Sequence, residues 1–304
     1  MTIGIPRALL YYRYGRMWKT FFEQLGLRVL ISGESDQRIF SQGERLTESE
    51  CCLPVKIFIG HIASLVGRCD LVFVPRIERL AENDEFCVRF WGLPDIARAT
   101  FPGLRVLSYN LRGGLTGNEL SCFLRLGRIL GKSWGESLVS YHLAKAFQHR
   151  ADERAANAHN LEISKPGIKV LIATQAYIAH DPMIGGDLIS ALRSQGVTPI
   201  FADRCPRGLA RKQASALTSS LYWVTNKEVV GAVQLLRDKI DGVILLTAFP
   251  CGTDCLVNEL LLRRVRGLPI TQIILDGQHG QAGLETRVEC FVDIIREARR
   301  KNAG

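Results

Sequence analysis

Cysteine is the residue type in this sequence with the widest range of chemistry, and the chain of 304 residues contains nine of them. The opening segment Met1–Leu10 lacks the charged and then apolar pattern of a secretory signal peptide, so we expect a cytoplasmic protein. A reducing cytoplasm does not favour a disulfide framework. Core packing, nucleophilic catalysis and metal binding are the roles that remain for these thiols.

Three cysteines fall on predicted loops between strands and helices. Cys52 lies just before a predicted helix whose first turn contains Pro54, and Cys251 lies between a predicted strand and the next helix. A helix N-terminus lowers the pKa of a nearby thiol toward the thiolate, which is the form that binds metal. Cys87 follows another predicted strand on a long loop. Ligands of open α/β sheets bind beyond the carboxyl ends of the strands, where such loops gather.

The remaining cysteines have weaker claims to chemistry. Cys69, Cys122 and Cys290 occupy positions of apolar residues, and a free cysteine packs as a small hydrophobe. Cys51 adjoins Cys52 but points in a different direction, and Cys205 lies in a basic loop that gives no preference.

Cys255 is four residues after Cys251, so the two would share a helix face. Gaps of 35 and 164 residues separate Cys52, Cys87 and Cys251, and these gaps match no compact zinc or ferredoxin motif. Spacing alone therefore leaves a chance arrangement and a cluster site equally open.

The elements that would position these residues alternate along the whole chain. Short β-branched runs are predicted as strands, at residues 2–5, 28–31, 71–75, 105–109, 169–173, 198–201, 242–247 and 270–275. Amphipathic stretches between them are predicted as helices, at residues 14–25, 54–65, 118–130, 136–160, 185–194, 226–236, 257–264 and 283–299. This alternation is typical of βαβ units with parallel sheets.

A break at Ile163–Gly167 follows the long polar helix predicted at residues 136–160. We therefore predict an α/β protein of two Rossmann-like or flavodoxin-like domains, with largely parallel sheets and a cleft between them. The N-terminal domain (1–160) carries Cys52 and Cys87, and the C-terminal domain (161–304) carries Cys251.

The charge and hydropathy of the chain exclude some classes of function. The formal net charge is +9, but the basic residues are scattered and no aromatic-plus-basic RNA signature or zinc-finger spacing accompanies them, so we expect no nucleic-acid partner. No apolar run reaches the ~18 residues of a membrane-spanning helix, so we expect no membrane partner.

Several segments, in the same order along the chain, resemble the acyl-CoA dehydratase activase-related proteins. These proteins are distant relatives of the cluster-binding subunits of 2-hydroxyacyl-CoA dehydratases. The resemblance spans nearly the whole chain, and its segments are Ile3–Gly15 with Trp18, Cys52–Lys56 with Gly60 and His61, Val74–Arg76, Cys87, Gly92–Asp95, Asp241–Ile244, Phe249–Asp254 with Asn258 and Glu259, and Leu275–Asp276 leading to Ala282–Arg287.

This resemblance implies a [4Fe-4S] cluster held at the domain interface by Cys52, Cys87 and Cys251. Three thiolates would leave one iron site open, for low-potential electron transfer or reduction of a small molecule. The resemblance also implies an ATP-dependent activator protein as electron donor and an acyl-CoA-like or other small-molecule substrate. The chain has no P-loop glycine–lysine motif, so we expect it to be a partner of the ATPase and not the ATPase itself.

Five further residues are candidates for the surroundings of the cluster. Positive groups and hydrogen bonds near an iron–sulfur centre stabilise its reduced state. The candidates are Arg7, Lys56, His61, Arg76 and Cys255. The competing interpretation is a solvated surface charge for the cations and a packed core residue for His61.

Two other functions stay open at this level. One is a metal-free two-domain module that binds a phosphorylated or carboxylate ligand at its basic edge. The other is a thiol enzyme with Cys251 as nucleophile and His61 or His279 as base. The residues leave open whether the chain is itself an iron–sulfur reductase or dehydratase-type component or serves another subunit. A homodimer is the expectation from base rates alone.

Overall fold

The computed structural model describes residues 1–277 and 281–303. Contacts divide the chain into two compact units, Met1–Asp152 with Tyr222–Val224, and Glu153–Leu221 with Thr225–Gly304. The predicted domain limits at residues 160 and 161 stay a prediction.

The first unit begins with regularly alternating strands and helices. Its helices are α1 (Tyr11–Gln24), α2 (Gln37–Arg45), α3 (Leu53–Leu65), α4 (Val88–Thr100), α5 (Glu119–Ile129) and the long α6 (Trp134–Ser164), which continues into the second unit. Its strands are β1 (Thr2–Ile5), β2 (Arg28–Ile31), β3 (Leu71–Phe73), β4 (Arg76–Ile77), β5 (Arg79–Ala81), β6 (Asp84–Glu85), β7 (Val106–Leu107) and β8 (Asn110–Leu111).

Four strands of this unit form a parallel sheet in the order β2-β1-β3-β7. Ile3 and Ile5 of β1 are fully buried at its centre. Aromatic side chains fill one face in edge-to-face or tilted contacts, and they include Phe21, Phe22, Phe73, Tyr109 and Phe123. Such offset contacts are the arrangement that aromatic rings prefer in a packed core.

Two glycines let α2 and α3 touch backbone to backbone. A Cβ atom at Gly43 would overlap the carbonyl oxygen of Lys56, and one at Gly60 would overlap the carbonyl oxygen of Ile39. This close approach fixes the position of α3, and α3 begins directly after Cys52.

The second unit repeats the same plan. Its strands are β9 (Ile168–Ala173), β10 (Val197–Phe201), β11 (Gly242–Ala248) and β12 (Ile270–Leu275). Its helices are α7 (Ala176–Ala179), α8 (Gly186–Ser194), α9 (Arg207–Ala214), α10 (Val224–Leu236), whose first residue belongs to the first unit, α11 (Gly252–Arg264) and α12 (Gln281–Ala303).

Its four strands are parallel in the order β10-β9-β11-β12. All seven residues of β11 are buried, as expected for a central parallel strand covered on both faces. The chain reverses its direction of winding between β9 and β11, so the carboxyl ends of these two strands form a topological switch point.

The structure confirms the predicted two-domain α/β class, with largely parallel sheets. Every predicted strand and helix is present, most within three residues of the predicted limits, but α11 begins at Gly252, five residues before its predicted start at residue 257. The helices α2, α4, α7 and α9 and the short strands β4, β5, β6 and β8 were not predicted. The predicted cleft between the domains stays a prediction. Within the described ranges, no helix has both the length and the apolar character needed to cross a bilayer.

The glycine contact between α2 and α3 leads to a stability prediction. We expect Gly43→Ala and Gly60→Ala each to lower the free energy of unfolding by about 1–3 kcal/mol, because the added methyl group must push apart two backbones. Urea denaturation of the purified chain measures this change.

Gly92→Ala is the matched control, because Gly92 also lies inside a helix but a Cβ there would meet only Ile96, at 3.7 Å. We expect this variant to stay within about 1 kcal/mol of the wild type. Equal stabilities for all three variants would contradict the close backbone approach.

Candidate functional site

Each of the three predicted ligand cysteines is the residue that precedes the first turn of a helix. Cys52 is the N-cap of α3, Cys87 is the N-cap of α4, and Cys251 is the N-cap of α11. Each helix is 13 residues long. The side chains of Cys87 and Cys251 make no capping hydrogen bond, whereas the Val55 backbone N–H in the first turn of α3 donates to the Cys52 thiol. The first-turn N–H groups therefore concentrate positive potential at all three thiols.

Cys52 and Cys87 lie in the first unit, close enough for their charges to interact. Cys51 interacts with Cys52 in the same way, although Cys51 is not among the predicted ligands. Cys87 lies at a helix N-terminus because α4, which was not predicted from the sequence, starts at the next residue.

The protonation state of Cys52 differs from the expectation. Burial raises the pKa of the Cys52 thiol to about 11, although a hydrogen bond from the Val55 backbone N–H lowers it. Desolvation therefore outweighs the helix N-terminus, and the predicted lowering of this pKa was wrong. Any metal that binds Cys52 at neutral pH must displace its proton.

Two cationic side chains, Arg89 and Lys56, lie near the thiols of Cys51 and Cys52. Arg89 lowers the pKa of both Cys51 and Cys52, and Lys56 lowers that of Cys51, in each case against a larger effect of burial. The Lys56 ammonium is also 3.8 Å from a carboxylate oxygen of Glu44. Lys56 was a predicted neighbour of the site, whereas Arg89 was missed because it lies in the unpredicted helix α4.

A cleft of about 710 Å³ adjoins Cys51 on the first unit. Cys51 lines it beside Arg45 and Arg89, and Glu48 and Glu50 also reach its surface. Two guanidinium groups beside a thiol could hold a carboxylate or phosphate group of a small ligand.

Arg7 and His61 belong to a polar network at the carboxyl end of the first sheet. His61 is fully buried, with its Nδ1 2.9 Å from Ser32 Oγ and its Nε2 2.9 Å from Ser35 Oγ. Ser32 Oγ also accepts a hydrogen bond from the Arg7 backbone N–H, and the Arg7 guanidinium pairs with Glu34. Burial, with a contribution from Arg7, lowers the pKa of His61 to about 4, so this ring is neutral at pH 7.

Arg76 is also engaged within its own unit. Its guanidinium donates to an oxygen of Asp95 at 2.7 Å and to the backbone carbonyl of Trp91. These bonds tie the segment after β3 to α4, the helix that follows Cys87. Arg76 therefore helps to position α4, and its role beside a cluster stays a prediction.

Cys251 stands at the carboxyl end of the second sheet. Its Sγ is 3.4 Å from Thr253 Oγ1, and its thiol interacts with the buried carboxyl group of Asp254. Cys255, one turn further along α11, is exposed.

The sequence did not predict the buried polar group around Asp254. Asp254 is 6% exposed and Asn258 is 3% exposed. An Asp in the first turn of a helix can be solvated or buried, and the sequence around it does not distinguish the two cases.

Among the described residues, no three His, Cys, Asp or Glu side chains are grouped so that they could hold a metal ion. None of the nine cysteines takes part in a disulfide. His279, one of the two bases considered for a thiol enzyme, lies outside the described residues. The ligand set Cys52, Cys87 and Cys251 stays a prediction.

Comparison with known protein families identifies residues 2–204 as a match to the family described as CoA enzyme activase uncharacterised domain. The chain belongs to this family. The match confirms the activase-related part of the resemblance. The more distant relation to the dehydratase cluster-binding subunits stays a prediction.

Comparison with solved structures yields only remote likenesses. The chain is 14% identical to the SBP FpvC of Pseudomonas aeruginosa in complex with Mn²⁺, with 99% of each chain covered and a TM-score of 0.28. It is 10% identical to ZnuA, covering 97% of this chain and 98% of that one, with a TM-score of 0.24. It is also 10% identical to a sugar transporter from Clostridium phytofermentans, covering 97% and 93%, with a TM-score of 0.19. Likenesses at this level support no argument, and no curated protein matches the chain.

The buried histidine leads to a prediction about pH. The pKa of His61 is near 6.5 in the unfolded chain and about 4 in the folded one, so protons bind the unfolded chain preferentially between these values. We expect His61 to stabilise the fold fully above pH 6.5 and to lose about 3 kcal/mol of that contribution as the pH falls to 4. Urea denaturation at about pH 7 and about pH 4.5 of the wild type and His61→Gln measures the difference. The loss in the variant should be smaller by about 2–3 kcal/mol, and the part that remains includes His159, whose pKa burial also lowers.

His142→Gln is the control for this experiment, because His142 is exposed on α6. It should keep the pH dependence of the wild type. A His61→Gln protein with the same loss of stability as the wild type would show that His61 is not the group responsible.

Proposed function

We propose that this chain is the [4Fe-4S] cluster-carrying component of an acyl-CoA dehydratase-type reductive system. Cys52, Cys87 and Cys251 are its proposed cluster ligands. Its family, described as CoA enzyme activase uncharacterised domain, supports the proposed link to acyl-CoA chemistry.

One observation carries the proposal. The three cysteines selected from the sequence are all N-cap residues of 13-residue helices. A helix N-terminus stabilises negative charge, and three thiolates around a cluster are a concentrated negative charge. The donor set also fits the chemistry, because iron–sulfur clusters are held by cysteine thiolates.

When bound, such a cluster supplies one-electron chemistry at low potential, and three protein ligands leave one iron open. The chain's own residues would stabilise that charge. Lys56 and Arg89 are the cations whose charges act on the thiols of the first unit, and both would favour the thiolate forms. Arg45 and Arg89 line the adjoining cleft and would orient an anionic substrate beside Cys51.

The proposed partner is an ATP-dependent activator that donates the electron, because the sequence of this chain contains no P-loop of its own. The proposed substrate is a small molecule or an acyl-CoA-like ester with an anionic group. The competing function is a metal-free module in which the same cleft binds a carboxylate or phosphate and the cysteines are incidental.

Anaerobic reconstitution of the full chain with iron and sulfide tests the proposal. We expect a brown protein with about four iron and about four sulfide per chain. Cys52→Ser, Cys87→Ser and Cys251→Ser should each lose the cluster or show an altered electron paramagnetic resonance spectrum after reduction. Iron and sulfide analysis with that spectrum is the measurement.

Cys290→Ser is the control, because its thiol is exposed and lies outside the proposed ligand set and its predicted surroundings, and it should leave the iron content unchanged. Cys255→Ser tests a predicted neighbour of the cluster, and a loss of iron in this variant would add Cys255 to the ligands. A colourless and fully folded protein after reconstitution would reject the cluster. Thermal stabilisation by a phosphorylated or carboxylate ligand that all three ligand variants retain would then favour the metal-free module.

A further inference from the structure

Three large apolar side chains form a stripe on an exposed face of α6 in the first unit. Val139, Leu143 and Phe147 recur every four residues, so they follow one another along one side of the helix. They are 60%, 41% and 53% exposed, respectively. Single exposed apolar residues are ordinary on a protein surface, whereas a contiguous group indicates an interaction surface. These three residues are the α6 stripe.

A different face of α6 holds the helix to its own unit. Ser137, Ser140, Tyr141 and Ala144 lie on that face and are buried. The Tyr141 hydroxyl also donates a hydrogen bond to Glu119 of α5, at 2.8 Å. The α6 stripe lies about a quarter to a third of a turn away from this buried face, so the packing that anchors the helix leaves the stripe exposed.

Charges of opposite sign lie at the two ends of the stripe. Glu136 precedes Leu143 by seven residues, and Arg150 follows it by seven. Seven residues make nearly two helical turns, so both charged side chains lie on the same side of α6 as Leu143. Both hydrogen bonds that Glu136 accepts from Ser133 go to one carboxylate oxygen, Oε2. Arg150 is exposed and forms no ion pair with a described residue.

This arrangement is complementary to itself when one copy of the helix is reversed. In an antiparallel pair of α6 helices that meet at Leu143, the two Leu143 side chains face each other and each Val139 lies beside a Phe147. Each Glu136 then lies beside the Arg150 of the other copy, which pairs opposite charges at both ends. A parallel pair would instead place like charges together, which is unfavourable.

We propose that the α6 stripe is a homodimer interface, in which the α6 helices of two copies of this chain pack antiparallel about Leu143. A two-fold interface uses the same patch on both copies, so the patch must match itself in this way. An apolar centre with charged residues at its rim is also the usual composition of an interface between proteins. This inference does not depend on the proposed cluster or its ligands.

Sedimentation velocity of the full chain tests the proposal, at concentrations from about 1 to about 100 μM. We expect the mass to rise from 33.9 kDa toward twice that value as the concentration increases. Leu143→Glu places two carboxylates against each other at the two-fold axis, so it should raise the dissociation constant of the dimer at least about tenfold.

Leu138→Glu is the matched control, because Leu138 lies on the same helix and is 40% exposed, but points about 140° away from Leu143. It should form dimers as the wild type does. A wild-type chain that stays monomeric throughout would overturn the proposal and leave the stripe to a different protein. Equal weakening of the dimer by Leu138→Glu and Leu143→Glu, or no weakening by either, would also overturn it.

A charge exchange tests the antiparallel arrangement. Arg150→Glu and Glu136→Lys should each weaken the dimer, because each variant places like charges together at both ends of its own homodimer. An equimolar mixture of the two should restore the dimer, since both ends of the mixed pair then carry opposite charges. Glu136→Lys also removes the hydrogen bonds from Ser133, so circular dichroism is used to confirm that this variant is folded. A mixture of folded variants that stays monomeric would overturn the antiparallel pairing.

Discussion

Parallel pairing of the strands is the constraint on which the rest of this structure depends. In each four-stranded sheet all strands point the same way, so every turn from a strand into its following helix falls at one edge. That edge collects helix N-termini, and with them unsatisfied backbone N–H groups and positive potential. Cys251 in the second unit stands at such an edge, after a buried central strand. Cys52 and Cys87 in the first unit stand at helix N-termini as well.

The two units bury polar groups of different kinds. In the first unit, His61 is neutral and both of its ring nitrogens have a serine partner. In the second unit, the buried Asp254 carboxyl group accepts a hydrogen bond from Asn226 Nδ2 at 2.8 Å and also interacts with Gln175 and the Cys251 thiol, and burial raises its pKa. Buried polar networks of this kind stabilise one arrangement of the core.

In the first unit, helix packing determines the position of one of the three proposed ligand cysteines, Cys52. Gly43 and Gly60 allow α2 and α3 to touch, and this contact holds the helix that begins after Cys52. Burial then keeps Cys52 protonated at neutral pH. Cys51, next to it, lines a cleft that contains two arginines and two glutamates, so positive and negative side chains are both available there to a ligand.

The sequence by itself determined the class of fold and the residues worth testing. Hydrophobic periodicity is local, so the eight strands of the two main sheets and the long helices could be predicted from it. The helix α4 could not, because Pro94 interrupts its pattern and its weak amphipathicity gives no clear period. The position of Cys87 as an N-cap was therefore invisible until the fold was known.

Only the tertiary structure decided which polar groups are buried and which partners they have. Desolvation depends on all the atoms that surround a group, and most of those atoms come from distant parts of the chain. For this reason the pKa of Cys52 moved in the direction opposite to that predicted from its helix alone. For the same reason Asp254, which has the sequence position of a solvated first-turn residue, proved to be an interior carboxyl group.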